Sequence, residues 1–255
     1  MRTLQKFSLQ NKVAVITGAS KGIGEAIARA YAEAGAKVVI SSRKQDAVDA
    51  VAADLRKNGF DAVGIAAHVG KLEDLDHLVK KTVEVYGGID ILVNNAAINP
   101  VFGPIVQTDE AVFDKIMQVN VKGPFELGKR VYPIMKERGG GSVINISSIG
   151  GISPEPGLGI YSVSKAALIS LTKVMAKEWG DDHIRVNAIC PGLIKTKFST
   201  ALWQNEDIKN MVLARQPIKR IGMPEDVVGL ALFLASEAAS YCTGAVYMVD
   251  GGHVI

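Results

Sequence analysis

Seven short runs rich in valine and isoleucine, each separated from the next by a stretch with helical character, constrain this chain more than any other feature of it. The runs are Val13 to Thr17, Lys37 to Ser42, Ala62 to Ala67, Ile89 to Asn94, Ser142 to Ser147, Arg185 to Cys190 and Ala245 to Val249. Between them, Ile23 to Ala34, Ala47 to Lys57, Leu72 to Tyr86, Thr108 to Lys136, Ile160 to Trp179 and Glu225 to Leu234 read as helices. Gly35, Asn58-Gly59 and Gly87-Gly88 close the first three, Thr108 is the expected cap of the fourth, and Pro224 suits the first turn of the last. Strands that are apolar almost throughout need cover on both faces. Parallel strands joined by helices obtain it, because each crossover lays a helix back on the sheet. The expected fold is therefore α/β: a single-domain, doubly wound parallel sheet of seven strands with helices on both faces. No linker or low-complexity tract divides residues 1–255.

Composition narrows the function classes. With 48% hydrophobic and 22% charged residues, the 255-residue chain has the make-up of one globular domain with a substantial core. A net charge of +3, from 29 basic and 26 acidic residues without a long basic block, gives no reason to expect nucleic acid or an anionic membrane. Cys190 and Cys242 form no CxxC pair, and the four histidines have no metal-ligand spacing, so neither a disulfide framework nor a metal site is expected. Met1 to Gln10 lacks the apolar core of a signal peptide, and no apolar run would span a bilayer, which points to the cytoplasm.

Ligands of such sheets bind beyond the carboxyl ends of the strands, near the switch in strand order. After the first strand comes Thr17-Gly18-Ala19-Ser20-Lys21-Gly22-Ile23-Gly24, whose glycines permit a tight turn and let backbone N–H groups approach a phosphate at a helix N-terminus. Taken alone, the loop also reads as a plain strand-to-helix turn. The second strand ends in Ser41-Ser42-Arg43, without the acidic residue that binds the 2′-hydroxyl of NAD. Hydroxyls and a guanidinium there, with Lys21 nearby in sequence, suit a 2′-phosphate, so NADP(H) is preferred and NAD(H) remains open. Asn94-Asn95-Ala96-Ala97 after the fourth strand would serve either as turn formers or on the adenosine side.

Tyr161 and Lys165 lie four residues apart at the start of a helix and so share a face. A neighbouring ammonium favours a phenolate, which is expected to lower the tyrosine's pKa and make it a usable acid/base. The pattern alone is weak: about 0.5 such pairs are expected by chance, and the chain has a second in Tyr132 and Lys136, beside a solvated helix end.

Taken together, Thr17 to Gly24, Asn94-Asn95-Ala96, Asn120 in Val119-Asn120-Val121, Ser148 thirteen residues before Tyr161, Lys165 and Pro191-Gly192 resemble the short-chain dehydrogenase/reductase family. The resemblance covers almost the whole chain. It sets Tyr132 aside, because thirteen residues before it stands Val119, which has no hydroxyl. What it implies is reversible hydride transfer in a Rossmann domain, with Tyr161 as general acid/base, Lys165 tuning it and holding the nicotinamide ribose, Ser148 binding the substrate oxygen and Asn120 anchoring a relay water. The implied cofactor site adds Gly18, Ser20, Lys21, Gly22, Ile23, Gly24, Ser42, Arg43, His68, Val69, Asn94, Ala96, Pro191, Gly192, Ile194 and Thr196 to Tyr161 and Lys165. Phe198, Leu202 and Trp203, within a variable segment at 193–222, are expected to cover the substrate.

Two departures from the family pattern stand out: His68-Val69 replaces the aspartate often found after the third strand, and Ala97 replaces a glycine. The segments around Arg43, His68 and Gly192 to Thr196 look most like a subgroup of NADP-dependent carbonyl reductases and retinol dehydrogenases. The expected activity is NADPH-dependent reduction of fairly apolar ketones or aldehydes by a homotetramer meeting at the two longest helices. The alternatives are an epimerase or dehydratase using the same Tyr-Lys pair, and a dinucleotide sensor without turnover.

Overall fold

The computed structural model describes residues 2–255. Its sheet has seven parallel strands: β1 (Val13–Thr17), β2 (Lys37–Ser42), β3 (Ala62–Ala66), β4 (Ile91–Asn94), β5 (Gly141–Ile146), β6 (Ile184–Pro191) and β7 (Val246–Val249). They lie in the order β3-β2-β1-β4-β5-β6-β7. The chain starts at the centre, runs outward through β2 and β3, then crosses to β4 on the other side of β1. The switch point is thus between β1 and β4, with Val15 opposite Leu92.

Alternation along each strand divides the core in two. Ala14 and Ile16 of β1, Val38 and Ile40 of β2, and Ile91 and Val93 of β4 face α1 (Gly22–Glu33), α2 (Gln45–Lys57) and α9 (Pro224–Ala235). Val15, Val39, Leu92 and Val143 face α3 (Leu72–Tyr86), α5 (Gly123–Glu137) and α6 (Gly159–Trp179). All five β1 residues are buried, as befits a central strand covered on both faces.

Two expectations need correction. The stretch through Lys136 is no single helix: α4 (Glu110–Met117) runs into a π turn at Gln118–Lys122, and α5 resumes at Gly123. Thr108 closes a short 3₁₀ turn instead of capping α4, and Asp109 holds the cap position. The variable segment carries two helices that the sequence patterning did not show, α7 (Thr200–Trp203) and α8 (Glu206–Arg215). The weak segregation of apolar residues in α8, which contains no buried residue, explains why periodicity missed it.

Candidate active site

The glycine loop joins β1 to α1 and is clamped to the loop after β4. Thr17 Oγ1 donates to Val93 O and accepts from the N–H groups of Asn95 and Ala96 at 3.1 Å each. Asn95 Nδ2 donates to Thr17 O at 2.9 Å and Gly18 O at 3.1 Å. The approach leaves no room for side chains: a Cβ on Gly24 would lie 2.5 Å from Asn95 Nδ2, and one on Gly18, where φ is +65°, would lie 2.9 Å from Ala96 Cα. No side chain caps the N-terminus of α1. Its first-turn N–H groups and the macrodipole of this 12-residue helix are therefore available to an anion. Thr196, arriving from beyond β6, lies across the loop, with Cγ2 3.3 Å from where a Gly22 Cβ would be. Ser20, Gly22 and Ile23 are half-buried, and Lys21 is exposed.

Ser42 and the exposed Arg43 stand at the carboxyl end of β2, next to Ser41. Ser41 Oγ is buried and has no hydrogen-bond partner. Beyond β3, the half-buried His68 accepts from Gly70 N through Nδ1, and its own N–H donates to Asp74. Val69 is buried against α5, its carbonyl 2.7 Å from where a Gly123 Cβ would lie. The Asn94 side chain does not look outward as expected: it is buried, with Nδ2 donating to Asn145 Oδ1 at 2.8 Å. Asn94 therefore ties β4 to β5, and it is Asn95, given no role of its own in the expected cofactor set, whose amide shapes the loop.

The π turn puts Asn120 in the interior between three elements. Its Oδ1 accepts from Ile98 N, while Nδ2 donates to Ile98 O at 2.9 Å and Ser164 Oγ at 3.0 Å. Ser164 Oγ in turn donates to Tyr161 O at 2.6 Å. The side chain is fully used in fixing the β4 loop against α6.

Ser148 follows β5, where its Oγ accepts from Gly150 N at 3.1 Å. Tyr161 lies on the first turn of α6, and its pKa is pushed up to about 12 by burial, with the Ser148 hydroxyl pulling the other way. Lys165 is 2% exposed. Its Nζ donates to Ile146 O at 2.8 Å and sits 5.6 Å from the Tyr161 ring centre, and burial brings its pKa down to about 8. The expected lowering of the Tyr161 pKa by Lys165 is thus not what this geometry gives. One of the lysine's three N–H donors goes to a strand carbonyl, and desolvation, which penalises the charged form of either group, dominates both. Cys190, on β6, has its thiol pushed up by burial and lies close enough to Lys165 and Tyr161 to be felt by both, a neighbour that spacing alone could not reveal.

Tyr132, by contrast, donates its phenol to Asp182, to which Lys136 is also paired at 2.9 Å. That hydrogen bond holds its pKa above the ordinary phenol value and occupies the group.

Beyond β6, Gly192 N donates to Val249 O and Ile194 is buried, pairing with Gly222. The short Pro191-Gly192 turn thus directs the chain back over the strand ends. Phe198, 54% exposed, places its ring 6.1 Å from that of Tyr161. Trp203 donates its indole N–H to Thr196 O and carries Lys195 Nζ 5.1 Å above its ring; Leu202 is half-buried beside it in the chain. Among the described residues, no three His, Cys, Asp or Glu side chains gather as a metal site would need.

This arrangement meets its relatives in sequence and in shape. Residues 18–253 match the family model described as Enoyl-(Acyl carrier protein) reductase. The chain is 50% identical to Dehydrogenase/reductase SDR family member 4 of Sus scrofa over 244 residues, which is 96% of this chain and 88% of that protein. The chain belongs to the short-chain dehydrogenase/reductase family. Its structure is similar to that of a gluconate 5-dehydrogenase from Burkholderia cenocepacia in complex with NADP and tartrate, at 33% identity and a TM-score of 0.95, covering 99% of this chain and 98% of that one. It is also similar to a 7α-hydroxysteroid dehydrogenase complexed with NADH and 7-oxo glycochenodeoxycholic acid, at 35% identity and a TM-score of 0.94, covering 99% and 98%. This short-chain dehydrogenase/reductase is accordingly an oxidoreductase acting on CH–OH or C=O groups, and it takes a nucleotide cofactor. The uncapped α1, the side-chain-free approach at Gly18 and Gly24 and the unpartnered Ser41 hydroxyl fit a dinucleotide laid across the β1–β4 switch point.

Proposed function

We propose that this enzyme reduces ketones or aldehydes to alcohols with NADPH, and runs the reverse reaction when alcohol is in excess. The observation that carries the reading is the convergence of Ser148 and Tyr161, one after β5 and one on α6, over the buried ammonium of Lys165. Bound NADPH supplies the hydride. As negative charge develops on the carbonyl oxygen, the Ser148 hydroxyl donates a hydrogen bond to it and Tyr161 delivers the proton. A phenol whose pKa is about 12 stays protonated at neutral pH and is ready to donate. Lys165, charged below about pH 8, stabilises the phenolate left behind and holds the nicotinamide ribose. The Asn120 carbonyl, at the π turn, anchors the water through which Tyr161 is reprotonated.

Lys21, in the loop between β1 and α1, and Arg43 and Lys44, just after β2, make no ion pair among the described residues, and three unpaired cations in these neighbouring loops favour the 2′-phosphate of NADPH. Phe102, Ile105, Ile152 and Phe198 are large apolar residues exposed in the loops around Tyr161, which favours apolar carbonyl compounds over sugars. Two free thiols fit a reducing compartment, and no helix is long and apolar enough to cross a membrane; we place the enzyme in the cytoplasm. We also take residues 1–255 to act as one catalytic domain, with 193–222 setting specificity.

Tyr161→Phe is the direct test. The folded, NADPH-binding variant should reduce a ketone panel at least a thousandfold more slowly than the parent, whereas Tyr132→Phe stays active. Parent-like turnover by Tyr161→Phe would end the assignment.

A further inference from the structure

The α7–α8 flap is held to the rest of the protein thinly. Neither helix contains a buried residue. Among the described residues, the side chains of 197–214 bond within the segment or to the stretch just before it: the buried Ser199 donates to Ile194 O, Thr200 and Trp203 to Thr196 O and Thr200 to Lys197 O, while Asn205 caps its own helix and Lys209 pairs with Glu206. Lys219 turns back onto the carbonyls of Leu213 and Ala214. Beyond the adjoining stems at 194–196 and Lys219, the flap's side-chain link to another part of the protein is Arg215, whose Nη1 donates to Glu155 Oε1 at 2.6 Å.

Glu155 stands on the opposite wall, in the loop between Ser148 and Tyr161. The same Oε1 lies 3.8 Å from His253 Nε2. His253 belongs to the C-terminal tail, yet its side chain is only 7% exposed and its Nδ1 has no partner, so the ring has been buried without a hydrogen bond to justify it. The tail is itself ordered, with Asp250 accepting from Gly252 N and Val254 N and Gly251 O accepting from Ile218 N at the base of the flap. One carboxylate oxygen thus gathers the flap, the wall and the tail.

We propose that Glu155, Arg215 and His253 form a latch that positions the α7–α8 flap over the carbonyl site and so helps to set substrate affinity, although none of the three touches the reacting atoms. The inference rests on the carbonyl-reductase reading for its kinetic consequence, but not for its mechanical one. A pair whose side chains are 52% and 31% exposed is weak, which suits a tether that must release on every turnover. The flap carries the apolar cover, Phe198 included, so releasing it loosens substrate before it affects chemistry.

Arg215→Met should raise KM for the carbonyl substrate about three- to fivefold, leave kcat and the KM for NADPH unchanged, and speed amide hydrogen exchange across 197–215 by a similar factor. The charge-swapped pair Glu155→Arg with Arg215→Glu should restore both values, which a variant that merely damaged the fold would not. His253→Ala should move both values in the same direction, about twofold. Parent-like exchange in Arg215→Met, or failure of the swap to restore it, would overturn the latch; parent-like exchange in His253→Ala would remove the tail from it. Because exchange needs no turnover, an enzyme inactive on every carbonyl tried would sink the activity reading and leave the latch to be decided by exchange alone.

Discussion

Burial sets Tyr161 and Lys165 moving in opposite directions, to about 12 and about 8, and the difference assigns the pH dependence of the free enzyme. A lysine pKa lowered by desolvation means that the ammonium is fully present below pH 8 and lost above it. The phenol keeps its proton over that whole range. kcat/KM for NADPH should therefore be level up to about pH 8 and then fall roughly tenfold per pH unit, and a profile level to pH 10 would contradict the role given to Lys165. Arg43→Ala should raise the KM for NADPH much more than that for NADH, as initial rates with each cofactor would show. Helical spacing put Tyr161 and Lys165 on one face, as it did Tyr132 and Lys136, and it was the resemblance to the family, through Ser148 and Asn120, that chose between the two pairs. Neither could show that Lys165 bonds to Ile146 O or that Asn94 bonds to Asn145, since both bonds depend on which strands become neighbours. Asn95 had a signal of its own, a second amide at the same strand end, but only the clamp on Thr17 shows which of the two faces the loop.

Among the elements, α9 shows how a helix start is specified from two sides. Pro224 opens it, and Asp226 Oδ2 accepts from Met223 N at 2.7 Å while both carboxylate oxygens accept from Arg220. The Arg220 guanidinium and the Met223 N–H hold the Asp226 pKa at about 2, so its contribution is present above pH 4 and lost as pH falls toward 2. Asp226→Ala should cost about 1 kcal/mol, seen as a drop of about 2 to 4 °C in Tm at pH 7, with parent and variant converging in acid. The strands were readable from composition because buried parallel strands are apolar throughout. The π turn was not, since Val119, Asn120 and Val121 continue an apolar pattern that suits a regular helix equally well. What opens the helix there is tertiary: the Asn120 amide is drawn to Ile98 and Ser164.

In the whole molecule, α4, α5 and α6 leave Phe113, Phe125, Val163 and Val174 exposed, around a groove lined by Met117, Val121, Phe125 and Leu171. We propose that a second copy of the chain covers this face, in a homotetramer in which these helices meet. Sedimentation should give four chains for the parent, and Phe125→Glu should yield smaller species; a monomeric parent at micromolar concentration would refute the arrangement. The doubly wound topology followed from strand-helix alternation, whereas assembly depends on which helix faces remain uncovered.

The π turn at Gln118–Lys122 has one more consequence, for how the chain tolerates changes in length. A π turn holds a residue more than an α-helical turn. Deleting one residue there would let α4 and α5 fuse into a regular helix whose flanking faces keep their register, but it would remove the widened turn from which Asn120 reaches Ile98 and Ser164. A single missing codon at 118–122 would thus leave the helices on either side packed as before and cost the loop after β4 its anchor to α6.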